Sequence, residues 1–323
     1  MTNGNGKSIN RSDVFIFLGR YGTVVILLAM IAIFSILMPA FRSGTNLYNL
    51  GQQMSILSIF AAGMTCCLKM GDFDLSIGAI AAITGIVISE MMLAGYSIPT
   101  SIIVGILVGV VVGLLNGLLV AYVGLSAFVC TLATMSVILG MAMAITKGIS
   151  IWGLPETYGI IGRGDLAGIP NRFILMIVLI AILWFFHGFT TTGRRMEAIG
   201  GNANAARMSG INVEFNRLLG YLLSGLCSAI AGIVLTSTVL SASALQGTHY
   251  LLDAFGACFI GAATVRIGQF HILGTFVGVL IVVVAINGLL ILMVPGYYTD
   301  MIKGIILLLA VFFSGVAGRF IKR

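Results

Sequence analysis

Charge is what this sequence has least of. Asp, Glu, Lys and Arg together make up 8% of its 323 residues, while 59% are hydrophobic and the mean hydropathy is +1.13. A soluble domain carries roughly 25% charged and about 45–50% apolar residues, so the composition excludes a soluble enzyme and a nucleic-acid-binding domain and leaves an integral membrane protein. Two-residue alternation is absent from the apolar runs, which argues against an outer-membrane barrel. The five cysteines (Cys66, Cys67, Cys130, Cys227, Cys258) lie inside apolar runs with neither zinc spacing nor CxxC. They read as small packing residues rather than disulfides or metal ligands. The three histidines (His187, His249, His271) fall at the ends of different runs, without HExxH or a triad context, and no hydrolase follows from them. Gly6-Lys7-Ser8 resembles the end of a phosphate loop, but the leading glycine would have to be Met1. No nucleotide site, metal or cofactor is therefore expected.

What is present is a succession of apolar segments of spanning length. Candidate helices run near 22–39, 53–70, 76–93, 98–122, 126–146, 172–190, 219–240, 251–265, 270–294 and 298–318, each close to the roughly 20 residues a helix needs to cross hydrocarbon. The expected fold class is an all-α polytopic membrane protein of about ten transmembrane helices, a single transmembrane domain over residues 1–323. Residues 1–20 are polar and basic with no small-residue cleavage site after the first run, as expected for an anchored first helix. Ten crossings place both ends on one side. With that side cytoplasmic, Lys7, Arg11, Arg20, Lys69, Arg194, Arg195, Arg207, Arg217, Arg266, Arg319, Lys322 and Arg323 are inside, against Arg42, Lys147, Arg163, Arg172 and Lys303 outside. Twelve against five satisfies the positive-inside rule, so the net charge of +7 reflects membrane orientation and calls for lipid, not nucleic acid, as the surrounding partner.

Two polar inserts interrupt this pattern. Residues 147–172 form the long external loop, where Trp152, Glu156, Arg163 and Asp165 mix an aromatic anchor with charge and are candidates for docking a partner. On the inside, residues 191–217 contain "RRMEAIGGNANAARMSGINVEFNR", with six charged residues. Asn202 can cap a short helix from Ala203 to Met208, Gly210 can end it in a left-handed conformation, and Gly200 and Gly201 permit a sharp turn into it. The expected result is a small helix off the membrane with a flat alanine face (Ala203, Ala205, Ala206), rimmed by Arg207 and Ser209: a docking surface.

Within the spans, Gly105, Gly109, Gly113 and Gly117 recur every four residues and predict close helix packing; Gly274 and Gly278 carry the same signal. Lys69, Asp72 and Asp74 cluster between the second and third runs, and Asn116 adds a polar group to the fourth. Ionisable groups in a membrane are costly and can mark an ion path, but Lys69 is near enough in sequence to neutralise a carboxylate, so anchoring of a broken helix pair and ion coupling both stand as readings. One acidic pair is too little for a metal-dependent membrane enzyme, which would carry a longer, doubled motif.

"AIGGNANAARMSGINV" at 198–213 and "GDFDLSIGAI" at 71–80, with "TLATM" at 131–135 and "GTHYLLDAFGACFIGA" at 247–262, resemble the permease subunits of bacterial ATP-binding-cassette importers for monosaccharides. The likeness covers nearly the whole chain; the first motif is the most specific. One departure is Gly261-Ala262-Ala263, where such permeases tend to carry a Gly-Gly pair. The resemblance implies a fold of the vitamin-B12-importer type in the bacterial inner membrane. It implies a second permease copy, as homodimer or heterodimer, a cytoplasmic ATPase subunit coupled through Gly200, Gly201, Asn202, Ala205, Ala206, Arg207, Ser209 and Gly210, and a periplasmic sugar-binding protein. A secondary, ion-coupled carrier and a permease for nucleosides or furanose-like signalling molecules are the alternatives.

Overall fold

The structure is a computed structural model that describes residues 11–264, 268–305 and 307–308, with side chains from Gly22 onward. In chain order the helices are α1 (Arg11–Leu37), α2 (Gly44–Leu68), α3 (Ile77–Leu93), α4 (Ile98–Ala121), α5 (Ala127–Thr146), a single turn α6 (Ile160–Arg163), α7 (Asn171–Phe189), α8 (Thr191–Gly201), α9 (Ala203–Met208), α10 (Val213–Val239), α11 (Tyr250–Ala262) and α12 (Ile272–Ile291). Residues 296–305 are also helical. Among the described residues, six helices (α2, α4, α5, α7, α10 and α12) are long and apolar enough to cross a membrane, and Gly22–Leu37, α3 and α11 are shorter apolar helices. The protein is therefore a mostly helical, multi-pass membrane protein. The expected charges at 1–10, Arg266 and residues 309–323 lie outside the described residues.

α2 and α10 are the buried axis, and α4, α5 and α7 keep most of their surface outward. Exposed leucine, isoleucine and valine along α4 and α5 (Ile103, Leu107, Val111, Leu115, Val129, Val137) form an apolar exterior suited to lipid or another apolar surface. The glycine stripe of α4 packs as its spacing predicts. A Cβ at Gly109 would lie 2.6 Å from the carbonyl oxygen of Gly225, one at Gly113 2.5 Å from that of Tyr221, and one at Gly117 3.0 Å from the Cα of Leu218. All three neighbours are on α10, while Gly105 faces Ile88 of α3. Gly274 and Gly278 of α12 bring that helix onto Gly261 and Ala257 of α11 in the same way. Gly261, in the stretch that departs from the Gly-Gly pair, is thus a packing glycine.

The two halves repeat each other. α4 packs against α3 and α10; α12 packs against α11 and α2. α2 ends where α8 begins its contacts, and α10 starts just after α9, so the two long helices run in opposite directions, as in an inverted repeat. The sequence echoes this in Asn116-Gly117-Leu118-Leu119 of α4 and Asn287-Gly288-Leu289-Leu290 of α12.

In each half the short helix starts inside the bundle. Asp74, just before α3, binds Ser224 part-way along α10, and Gly78 in the first turn of α3 abuts Gly247, just before α11. Tyr250, the first residue of α11, stacks on Phe60 in α2 with ring centroids 5.2 Å apart. Residues 241–250 were expected to be a short external connection; they instead fold back into the interior. Small and polar residues there suit either place, so the pattern alone does not separate them. α2 likewise begins at Gly44, nine residues before the expected start, because Ser43 caps it and buried Asn46 exchanges two side-chain hydrogen bonds, 3.0 and 2.9 Å, with Asn287 of α12.

A methyl group at Gly113 has to displace α10 backbone. Gly113→Ala is expected to lower the thermal midpoint in detergent, at a cost of about 1–3 kcal/mol typical of overpacking. Gly140→Ala on α5, where nothing lies within 4 Å of the added Cβ, should leave the midpoint unchanged or raise it slightly. Equal midpoints for the two variants would contradict the packing assigned to α4.

Candidate functional site

Three groups of residues named by the sequence occupy three separate places. The first is the connection between α2 and α3. Gly71, at φ +82°, ends the helical path, and residues 72–76 are irregular, neither helix nor strand, with Ser76 already in the right-handed helical region. Asp74 is fully buried; one carboxylate oxygen accepts from the Ser76 N–H (3.0 Å) and hydroxyl (2.6 Å), the other from the Ser224 hydroxyl (2.7 Å). Asn116 donates to the Ser76 hydroxyl (2.9 Å) and accepts from Thr134 (2.7 Å). The Leu75 N–H donates to Thr131, and the Tyr221 hydroxyl donates to the Phe73 carbonyl. Asp74 and Asn116 thus belong to one network joining α4, α5 and α10 to this connection.

Asp72 is at its edge, paired with Arg217 at 2.6 Å. Burial raises the Asp72 carboxyl from its ordinary value, and the Arg217 charge and hydrogen bond pull it back down. Lys69 does not join this pair. Its ammonium lies 3.3 Å from Glu197 of α8 and donates to the His187 carbonyl at 3.2 Å. The expectation that Lys69 neutralises a neighbouring carboxylate is therefore corrected: Arg217, 145 residues further on, takes that role for Asp72, and Lys69 ties α2 to α7 and α8.

The second place is the pair α8 and α9. α8 was not foreseen as a helix. Thr190 caps it by accepting from the Gly193 N–H (3.1 Å), and Gly193, Met196 and Ile199 bury one face at three-residue spacing while Arg194 and Arg195 point out. That cap and that spacing were the available signal. Asn202 caps α9 as expected, accepting from the Ala205 N–H at 3.0 Å, and Gly210 is left-handed at φ +80°. Gly200 and Gly201 do not make the turn: both close α8, and neither has positive φ. The chain turns at Asn202, in extended conformation. Gly200 is needed for a different reason, since a Cβ there would strike the Lys69 carbonyl, whereas Gly201 faces open space.

The alanine face is also corrected. Ala206 is 5% exposed and packs with Met70, Met196, Ile199 and Val213, and Ala203 is packed beside them. The outward surface is Asn204, Ala205, Arg207, Met208 and Ser209, with Met208 91% exposed. Arg207 is held in an ion pair with Glu214, and the Ser209 hydroxyl donates to the Ala205 carbonyl. A short, locked helix with one protruding methionine is a surface that can receive a partner.

The third place is the loop 147–170 at the other end of α10. An isolated bridge joins Ile151 to Ala242 through hydrogen bonds of 2.8 and 3.0 Å, and the buried Tyr158 hydroxyl donates to the Ile233 carbonyl. Arg163 donates to the carbonyls of Thr238 (2.7 Å) and Val239 (3.1 Å), satisfying the last turn of α10. Asp165 accepts from the Gly168 N–H within a two-residue hairpin, β1 (Asp165–Leu166) and β2 (Ile169–Pro170), whose turn residues Ala167 and Gly168 both have positive φ. Trp152, 64% exposed, and Glu156 face outward.

The family model described as "Branched-chain amino acid transport system / permease component" matches residues 46–311. The ribose import permease protein of Bacillus subtilis (strain 168) is 42% identical over 294 residues, 90% of this chain and 91% of that protein. The D-allose transport system permease protein of Escherichia coli (strain K12) is 34% identical over 298 residues (92% and 91%), and the L-arabinose transport system permease protein of the same strain 33% over 295 residues (91% and 90%). No solved structure matches. With a family model across most of its length and such relatives end to end, this chain belongs to the family of transport-system permease components, as a translocation subunit in the membrane.

Proposed function

We propose that the protein is the transmembrane subunit of an ATP-driven importer for a monosaccharide, delivered by an external binding protein and powered by a separate cytoplasmic ATPase. The observation that carries this reading is the end-to-end similarity to permeases named for ribose, allose and arabinose transport. Ten crossings in the vitamin-B12-importer arrangement, both termini cytoplasmic, the bacterial inner membrane, and a second permease copy complete the proposal. The inverted repeat and the positive-inside count support that arrangement. The ion-coupled alternative loses ground because Asp74 accepts three hydrogen bonds and Asp72 is paired with Arg217, so both carboxylates have structural partners.

Residues 191–217 are the coupling segment in this reading. α8 buries one face against the bundle, is tied to Lys69 through Glu197, and hands on to α9, whose outer surface is free to enter a groove on the ATPase. Force on α9 therefore has a rigid route to α2. Loop 147–170 is the proposed contact for the binding protein, with Trp152 and Glu156 as the outward residues, while Arg163 and Asp165 shape the loop.

Ala205→Trp and Met208→Asp should leave membrane insertion and thermal midpoint near the parental values, because both side chains point away from the bundle. ATPase co-purification and solute uptake in vesicles should fall, by about five-fold or more if the loss is of the 1–3 kcal/mol seen for overfilled contacts. Ala206→Trp is a contrasting control: it overpacks the seam beneath α9 and should lower the midpoint itself. Parental ATPase retention and uptake in both outward variants would remove the coupling role.

A double variant Asp72→Asn, Asp74→Asn tests the anchoring role. It is expected to lower stability by about 1–3 kcal/mol, less than for a wholly buried ion pair because Arg217 is 31% exposed. The remaining uptake should keep the parental pH profile. A normally stable double variant whose uptake loses its pH dependence would instead make these carboxylates part of an ion path.

A further inference from the structure

A cavity of about 320 Å³ opens where α11 begins inside the bundle; Leu57, Val283 and Ile286 give it an apolar wall, and Gln53, Gln246, His249, Tyr250, Asp253 and Lys303 bring polar groups to it. These polar side chains come from α2, the re-entrant segment before α11, α11 itself and the helix at 296–305. Six polar or amphipathic groups around one open space are unusual in a chain with 8% charged residues. Polar groups and irregular backbone are costly within a membrane bundle unless they line a cavity that water or a solute fills.

The chemistry of the lining narrows the occupant. Asp253 and Lys303, the carboxylate and the ammonium of the lining, form an ion pair at 3.0 Å, with the exposed Asp300 3.9 Å from the same ammonium outside the lining, so the charges on the lining itself are matched. Each glutamine amide offers both donors and an acceptor, a match for hydroxyl groups that donate and accept together. Gln246 is positioned by accepting from the Ser243 N–H at 3.3 Å, and Tyr250 by stacking on Phe60 at an interplanar angle of 20°. The volume is at the lower end of small-ligand pockets, roughly 300–1,000 Å³.

We propose that this cavity is a transient binding site on the solute path, and that it takes an uncharged, polyhydroxylated solute of monosaccharide size through Gln53 and Gln246. The site rests on the importer reading above and adds the place at which the permease itself meets its cargo. The re-entrant segment between Leu240 and Tyr250 is the element that would have to shift to pass the solute on, because its Gly247 abuts Gly78 directly beneath. The Asp253–Lys303 pair joins α11 to the last helix at the same level.

The test uses the assembled importer (permease, ATPase and binding protein) in proteoliposomes, with D-ribose as the probe. Gln53→Leu and Gln246→Leu should cut D-ribose uptake about tenfold each, the effect of losing a good hydrogen bond, while ATP hydrolysis stimulated by the binding protein stays parental. Gln246→Cys supplies a second measurement, since all five native cysteines are buried. After the variant is shown to transport, a membrane-impermeant methanethiosulfonate reagent added outside should block uptake and leave stimulated hydrolysis intact. Parental uptake in both leucine variants, or a labelled Gln246→Cys that still transports at its unlabelled rate, overturns the site. Failure of the importer reading looks different: the parental assembly itself would take up D-ribose, D-allose and L-arabinose equally well without ATP, or take up none of them.

Discussion

Irregular backbone in the middle of a helical bundle must find hydrogen-bond partners where water is scarce, and this fold depends on how residues 72–76 find theirs. Asp74 accepts the Ser76 N–H, Thr131 accepts the Leu75 N–H and Tyr221 donates to the Phe73 carbonyl. Those three residues lie on the connection itself, on α5 and on α10. Satisfying one short stretch of backbone therefore fixes the mutual positions of helices far apart in sequence. Asn116 adds α4 through Ser76. An unpaired backbone group in such surroundings costs several kcal/mol, which is why a fully buried carboxylate is tolerated here.

The glycine packing follows from the same constraint. Once α3 starts part-way through the bundle, α4 and α10 have to close the space below it. They do so by backbone contact, with Gly109 and Gly113 against Gly225 and Tyr221. Hydrophobic burial gives little preference for helix over lipid, so close approach and dispersion supply the association. The second half solves the same problem with Gly261, Gly274 and Gly278 between α11 and α12, and with the Asn46–Asn287 pair between α2 and α12. The two solutions differ in their polar chemistry: Asp74 binds one short connection to several helices, while the re-entrant 240–249 segment borders an open cavity.

Much of this was legible in the sequence and some of it could not be. Apolar runs located the long helices because hydrocarbon thickness dictates their length, but they missed the polar first turns of α2 and α10, which begin at Gly44 and Val213 rather than at 53 and 219. The Asn202 cap and left-handed Gly210 were readable because each depends on local chain geometry alone. The Gly105 to Gly117 stripe announced close packing, but not that α10 would be its partner. Lys69 illustrates the limit. Its neighbours in sequence are Asp72 and Asp74, yet the end of α2 points it at Glu197 of α8, and Arg217 arrives from α10 to pair with Asp72. Ala206 shows the same limit on a smaller scale, since three alanines on a six-residue helix do not reveal which of them faces the bundle. The re-entrant segment was hidden because Ser, Ala, Gly and Thr serve equally well at a surface and beside a polar cavity.

The position of the proposed coupling segment follows from these constraints. α8 and α9 pack where α2 ends, so a displacement of α9 reaches Lys69 through Glu197 and the Gly200 contact, and reaches Asp72 through Arg217, in the second turn of α10. Both routes converge on residues 69–76, and the Asp74 network continues from there to α3. The first turn of α3 abuts Gly247, next to the lining of the cavity. Every contact in that chain is a close backbone approach, an ion pair or a short hydrogen bond, and none passes through a flexible linker. A rigid path of this kind transmits a small movement without absorbing it, because packed elements shift between arrangements rather than deform continuously. In the coupling proposed above, substitutions that disturb Gly200 or Arg217 would act on the path between the two ends, which is a different failure from losing the proposed ATPase contact at Met208.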